Sequence, residues 1–219
     1  MHENVEETHL DPEEQLTREW DLFQSVEAGA PGNHCRCWQA TRPVVVAGRS
    51  NPLAAGVILD ACREDCVRVL RRFSGGGAVV LGPGCLNYAV VLSLVSWPEL
   101  IDVAASFQVI LGRIVAALGI PGLSIAGGTD LVLGGRKVSG NAQRRGRRAL
   151  IHHGTLLYAF DPRLATRYLK EPARQPGYRA ARRHEEFIGN LPLSAETIRE
   201  RLEAAWDFVT WDPALAGLP

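Results

Sequence analysis

The chain has 219 residues, is 46% hydrophobic, and balances 24 basic against 24 acidic side chains for a formal net charge of zero. That is enough apolar material for a sizeable core in one or two domains, and one is expected because no linker stands out. No apolar run approaches the roughly 20 residues of a membrane span, and the acidic N-terminus lacks a basic-then-apolar leader pattern, so a soluble cytoplasmic protein is expected.

Leu16, Trp20, Phe23 and Val26 recur at helical spacing, which predicts an amphipathic helix over residues 12–28, closed by Gly29 and Pro31-Gly32. Cys35 to Gln39 and Pro43 to Ala47 read as strands. Asn51 to Ala61 is a loop entering a short helix, and Val67 to Arg72 is a strand delivering Ser74-Gly75-Gly76-Gly77. Ala78 to Leu81 is a further strand, Gly82-Pro83-Gly84 a turn, and Leu86 to Val95 an apolar strand. Pro98 is expected to open a long helix with Val103, Phe107, Ile110 and Ile114 on one face, closed by Gly119. Strands are expected over Leu131 to Leu133, Lys137 to Ala142 and Thr155 to Phe160, then a short helix over Pro162 to Lys170. Pro172 to His184 reads as irregular surface chain, and Ser194 caps a last helix carrying Ile198, Leu202, Ala205 and Trp206. Strands and helices do not alternate one for one, which disfavours a doubly wound parallel sheet. The expected class is α+β: a mixed, largely antiparallel sheet flanked by helices.

Charge is unevenly spread. Residues 1–30 hold nine acids and the single base Arg18, whereas residues 136–183 hold thirteen bases against Asp161 and Glu171. The second half is therefore expected either to meet an anionic ligand or acidic partner, or to present a solvated arginine surface. The run Gln143 to Arg148 reads as a mobile surface loop; it lacks the interleaved aromatics of a nucleic-acid site, and no nucleic-acid partner is expected. The five cysteines are expected to be reduced thiols in the core. Cys35-x-Cys37 with Cys62-x-x-x-Cys66 has poor spacing for zinc, and no metal site is expected.

Three stretches carry chemistry. Only two of the 24 basic residues are lysines, and one of them, Lys137, sits among small residues in Gly135-Arg136-Lys137-Val138-Ser139-Gly140-Asn141. An ammonium is a compact point charge able to follow a phosphate or carboxylate oxygen. Arg71-Arg72-Phe73-Ser74-Gly75-Gly76-Gly77 is a strand end leading into a loop whose N–H groups can face an anion. It matches neither the P-loop nor the dinucleotide fingerprint. A tight structural turn is the plainer reading of the three glycines taken alone. His152 and His153 point to opposite faces of a strand and make a poor metal pair.

The stretches RRFSGGGAV, LNYAVVL, TDLVLGGRKVSGNAQRR and HHGTLLY, spread over residues 71–158, resemble in order and spacing the lipoate–protein ligase branch of the biotin/lipoate ligase superfamily, and CWQATRPVVVAGRSNP (37–52) is similar to its early strand pair. The resemblance implies a class II synthetase-like fold. It implies that Lys137 is catalytic, contacting acyl carbonyl and α-phosphate. It also implies a substrate- and nucleotide-binding set of Arg72, Ser74, Gly75, Gly76, Gly77, Ala78, Val79, Val80, Asn87, Asp130, Gly140, His153 and Gly154. ATP, Mg²⁺ and lipoate are implied as cofactors and substrate. A lipoyl-domain acceptor, of the 2-oxoacid dehydrogenase E2 or glycine cleavage H protein type, is implied as partner. Residues 1–219 are then expected to form one catalytic domain with an acidic arm over about residues 1–12 and no C-terminal accessory domain, working either with a separate accessory subunit or without one. A sister branch transfers octanoyl through a cysteine; the only thiol near a motif here is Cys85, expected to be a buried small residue. A non-catalytic lipoyl-binding scaffold is the third reading.

Overall fold

The computed structural model describes residues 11–31 and 33–206, so most of the acidic arm expected at 1–12 lies outside the described residues. The first helix, α1 (Pro12–Glu27), opens on a capping box. The Asp11 side chain accepts from the Glu13 N–H, and Glu14 accepts from the Asp11 N–H at 3.3 Å. Its buried stripe is Gln15, Glu19, Phe23 and Val26, rotated by one residue from the expected Leu16 and Trp20. Two polar side chains turn inward because partners wait there. Arg36 donates to the Gln15 side chain at 2.7 Å, and Trp38 Nε1 donates to Glu19 at 2.9 Å.

The main sheet is antiparallel throughout, in the order β1 (His34–Gln39), β5 (Cys85–Ser93), β9 (Ala149–Leu157), β8 (Arg136–Arg145), β7 (Asp130–Leu133), β6 (Ser124–Ala126). β9 runs over residues 149–157 rather than the expected 155–160; its polar His-His-Gly centre hid a strand paired on both edges. A second sheet, β3 (Arg68–Arg71), β2 (Val44–Ala47), β4 (Ala78–Leu81), pairs β2 with β4 antiparallel and β2 with β3 in parallel. The short helices α2 (Leu53–Gly56) and α3 (Leu59–Glu64) make that crossover.

Alternation along β5 and β9 builds two cores. Tyr88, Val90, Leu92, Leu150 and Leu156 face α4 (Val103–Leu118) and α7 (Ala195–Ala205), while Ala89, Val91, Ala149 and Ile151 face α1. A third cluster joins the second sheet to α5 (Pro162–Tyr168). Pro98 opens only a 3₁₀ turn. The long helix starts at Val103, where Asp102 accepts the Ala105 N–H, and Val103 itself is exposed. The segment over 172–184 is irregular, as expected, apart from a single 3₁₀ turn, and leads into α6 (His184–Phe187).

The expected mobile arginine loop is instead the end of the β8–β9 hairpin. Glu27 accepts the N–H groups of Arg147, Arg148 and Ala149 at 2.8–2.9 Å. A Cβ on Gly146 would lie 2.1 Å from the Glu27 carboxylate, so only glycine lets it in. No helix among the described residues is long and apolar enough to cross a membrane.

Candidate active site

Lys137 owes its direction to a β-bulge. On β8, Asp130 pairs with Gly140 and Leu131 with Ser139, but Val132 pairs with Lys137, leaving Val138 as an extra residue. Residues three apart on a strand normally face opposite ways; the extra residue puts Lys137 and Gly140 on one face. A Cβ on Gly140 would sit 2.9 Å from Lys137 Cε and Nζ, so the lysine lies across the space that glycine leaves open. Nζ meets Asp130 Oδ1 at 2.8 Å, and Tyr178 donates to Asp130 Oδ2 at 2.6 Å. The carboxylate is buried, whereas the lysine side chain keeps 30% of its surface exposed. The Lys137 carbonyl accepts the Gly189 N–H, which ties the strand to the chain after α6.

The glycine loop after β3 turns its carbonyls inward. Ser74 O accepts from the Arg49 N–H, Gly75 O from Arg72 Nη2, Gly76 O from Asn51 Nδ2, and Gly77 O from both Arg72 Nη2 and the Gly48 N–H. The close approach is why residue 48 is glycine: a Cβ there would lie 2.1 Å from Gly76 O. Gly76 holds φ +94°, which a side chain would resist. With the carbonyls occupied, the N–H groups of Gly75, Gly76 and Gly77 have no partner among the described residues, and those of Gly76 and Gly77, which border a cavity, are candidate donors for an anion. Arg71 and Arg72 brace the loops on either side. Arg71 binds the carbonyls of Gly48, Arg49 and Asn51. Arg72 is 8% exposed and donates to Val46 O, Ser74 Oγ and two loop carbonyls. Burial lowers its pKa to about 10, which still leaves it charged at neutral pH.

Loop and lysine border one cavity of about 1000 Å³. Lys137, Arg72, Gly76, Gly77, Ala78, Val79, Val80, Asn87, Asp130, Gly140, His153 and Gly154 all line it; Ser74 lies beneath the loop and Gly75 faces outward. Part of the wall is apolar, with Val46, Val57, Val79, Leu157, Phe160 and Leu169. Asn87 is fixed by donating to Trp38 O at 3.3 Å. Gly154 leaves room for the Asn141 side chain, whose Oδ1 would be 1.9 Å from a Cβ and which accepts from Tyr88 OH.

Sequence reasoning missed Glu19, Tyr88, Asn141 and Tyr178. Tyr88 and Asn141 lay inside recognised motifs, but Glu19 and Tyr178 carry no local signal. Cys85 is fully buried, and burial pushes its thiol up to about 12. None of the five cysteines, all within the described residues, lines the cavity. Cys37 and Cys62 belong to different core clusters.

The model of the lipoyl protein ligase A/B catalytic domain matches residues 11–204. The lipoate-protein ligase LplJ of Bacillus subtilis is 28% identical over 152 residues, covering 68% of this chain and 39% of that protein. The lipoate-protein ligase A of Psychrobacter cryohalolentis is 32% identical over 142 residues, covering 64% and 39%. The matched stretch thus spans about two fifths of these relatives. Among solved structures, a bipartite lipoate protein ligase of Thermoplasma acidophilum, studied with its E2 lipoyl domain, has a similar fold (TM-score 0.73, 21% identity, 87% of this chain and 76% of that one). So does a lipoate-protein ligase A bound with ATP (TM-score 0.72, 24% identity, 87% and 77%).

Proposed function

The chain belongs to the lipoyl protein ligase A/B catalytic-domain family, and we propose that it activates lipoate or octanoate with ATP to an acyl-adenylate and passes the acyl group to a lysine of a lipoyl domain. The observation that carries this reading is one cavity that joins an apolar slot, a partly exposed ammonium at Lys137 and the unpaired N–H groups of the glycine loop. The slot suits an eight-carbon chain, and the donors suit the charged end it must react through. The ATP-bound relative and the archaeal ligase studied with its E2 lipoyl domain support the same nucleotide and a lipoyl-domain acceptor.

In this mechanism the acid's carboxylate oxygen attacks the α-phosphorus and pyrophosphate leaves. The acceptor's amine then attacks the acyl carbonyl, AMP leaves, and the amine loses a proton to water. Lys137 exchanges Asp130 for the α-phosphate and acyl oxygens, while the loop N–H groups hold phosphate oxygens. The loop donors are held, and the ammonium is within reach, where negative charge develops. Mg²⁺ bound to the triphosphate would share that charge. Among the described residues there is no cluster of three or more metal-ligating side chains. Asp130 is the cavity carboxylate that could meet such an ion, because its Oδ1 is freed when Lys137 turns to the ligand, whereas Glu19 stays bonded to Trp38 and His153.

Transfer through a cysteine fits less well, because a nucleophilic thiol needs an accessible, activated sulfur. Cys85→Ala is expected to leave acyl transfer unchanged; its disappearance together with a thioester intermediate would favour the transferase. The central test is lipoate-dependent pyrophosphate release from ATP, run with octanoate and biotin in parallel, for the chain alone and with candidate accessory proteins. Lys137→Ala should abolish release with the melting temperature unchanged. Retained adenylation in that variant would sink the assignment. Acyl binding without release under any condition would favour the scaffold.

A further inference from the structure

A hydrogen-bond chain crosses the core from α1 to the glycine loop. Glu19 Oε1 accepts from Trp38 Nε1 at 2.9 Å, and Glu19 Oε2 lies 2.8 Å from His153 Nδ1. His153 Nε2 lies 2.6 Å from Ser74 Oγ, which also receives Arg72 Nε at 3.0 Å. All five side chains are buried: Trp38 at 1%, Glu19 at 2%, Ser74 at 0%, His153 at 7% and Arg72 at 8% exposure. The rings repeat the connection, with Phe73 between Trp20 of α1 (5.2 Å) and His153 (5.1 Å).

The donors can be assigned from chemistry alone. A carboxylate only accepts, so His153 must carry its proton on Nδ1. Nε2 is then the acceptor, Ser74 donates to it, and the serine oxygen is free to accept from Arg72. Every buried donor has an acceptor in this arrangement. An imidazolium would aim a second donor at Ser74 and leave the serine O–H without an acceptor, a poor outcome in a dry interior. The chain therefore runs one way, from the Arg72 cation to the Glu19 anion.

Its connectivity is also that of a nucleophilic triad. Ser74 cannot serve as that nucleophile, since it is fully buried and does not line the cavity.

We propose that Glu19 is a positioning residue for the glycine loop, acting through His153 and Ser74 by a hydrogen-bond chain of fixed direction. Ser74 is the loop residue this chain grips, and Arg72 at its far end is the brace for the loop carbonyls. The N–H groups facing the cavity therefore owe their placement to a helix outside every recognised motif. For nucleotide affinity the proposal rests on the function proposed above; the proton assignment does not.

The test has two arms on the full chain. In ¹⁵N-histidine NMR, with the His153 signal assigned by its loss in His153→Gln, wild type should show the neutral Nδ1–H tautomer. Glu19→Gln presents an amide that can donate to Nδ1, and it should shift His153 towards the Nε2–H tautomer. In steady-state kinetics, Glu19→Gln and Ser74→Ala should each raise the KM for ATP about tenfold, the effect of one lost buried hydrogen bond to a charged network, with kcat changed much less. Ser74→Ala should keep the Nδ1–H tautomer, because Glu19 still accepts, and it serves if Glu19→Gln fails to fold. An imidazolium or Nε2–H tautomer in wild type overturns the proposal. So does an unchanged KM for ATP in Ser74→Ala. A wild type with the Nδ1–H tautomer that binds no nucleotide supports the chain and overturns the functional reading instead.

Discussion

Gly140→Ala separates the placement of Lys137 from the stability of the fold. The added methyl carbon would lie 2.9 Å from both Lys137 Cε and Nζ and 3.9 Å from Asp130 Oδ1. Ordinary carbon contacts need about 3.5–4.0 Å, so the end of the lysine must move by roughly 1 Å. That end is flexible and partly exposed, and it can swing aside; the expected loss of stability is below about 1 kcal/mol. Catalysis is less forgiving, because a misplacement of about 1 Å costs on the order of 100-fold in rate, or about 2.7 kcal/mol. The assay is lipoate-dependent pyrophosphate release beside a thermal melt. Gly112→Ala is the control: its Cβ meets nothing within 4 Å on α4, and it should stabilise by about 0.5–1 kcal/mol with activity unchanged. A Gly140→Ala rate within threefold of wild type would refute the claim that the ammonium works from this position. A large drop in melting temperature would refute the claim that the lysine can swing aside.

Gly154→Ala should behave in the opposite way. Its Cβ would lie 1.9 Å from Asn141 Oδ1 and 2.9 Å from Gly140 O, so overpacking should cost about 1–3 kcal/mol, read as a lower denaturation midpoint. His152 predicts a pH dependence: burial in the core pushes its pKa down to about 3. The native state refuses a proton that the unfolded chain accepts near pH 6.5, so stability should be unaffected above that value and fall as pH drops from 6.5 towards 3. His152→Gln should flatten that slope in denaturant titrations, and an unchanged slope would show that His152 does not contribute to it.

The glycine loop, Lys137 and the opposed histidines were legible because each is a local pattern. The loop's donor face follows from a strand end and three glycines, and the histidines' faces follow from strand alternation. What stayed hidden depends on distant partners. Hydrophobic periodicity placed Leu16 and Trp20 inside α1, whereas Glu19 is buried because Trp38, 19 residues away, and His153, 134 residues away, supply donors. The bulge that turns Lys137 depends on the register between β7 and β8, which no single strand encodes. The Gln143–Arg148 run looked like a free loop because Glu27, which holds its turn, lies 120 residues upstream.

The arginine bias also takes a physical meaning. Many of these guanidiniums donate to main-chain carbonyls. Arg71 and Arg72 serve the loops around β2 and the glycines, and Arg145 serves Leu100 and Ile101 ahead of α4. Arg201 donates to Leu118 at the end of α4, and Arg199 to Cys37 in β1. A planar fork of five donors can satisfy several carbonyls at once, which an ammonium does less well. Part of the positive charge that suggested an anionic partner is therefore internal structure. Lys137 is different in kind: its contact is a single carboxylate at the cavity wall, and an ion pair of that sort can be exchanged for a phosphate or acyl oxygen. A guanidinium at residue 137 would carry a broader, fixed fork into the space that Gly140 leaves for a narrow chain. The same charge would be present, but it could not move from Asp130 to the ligand along the same path.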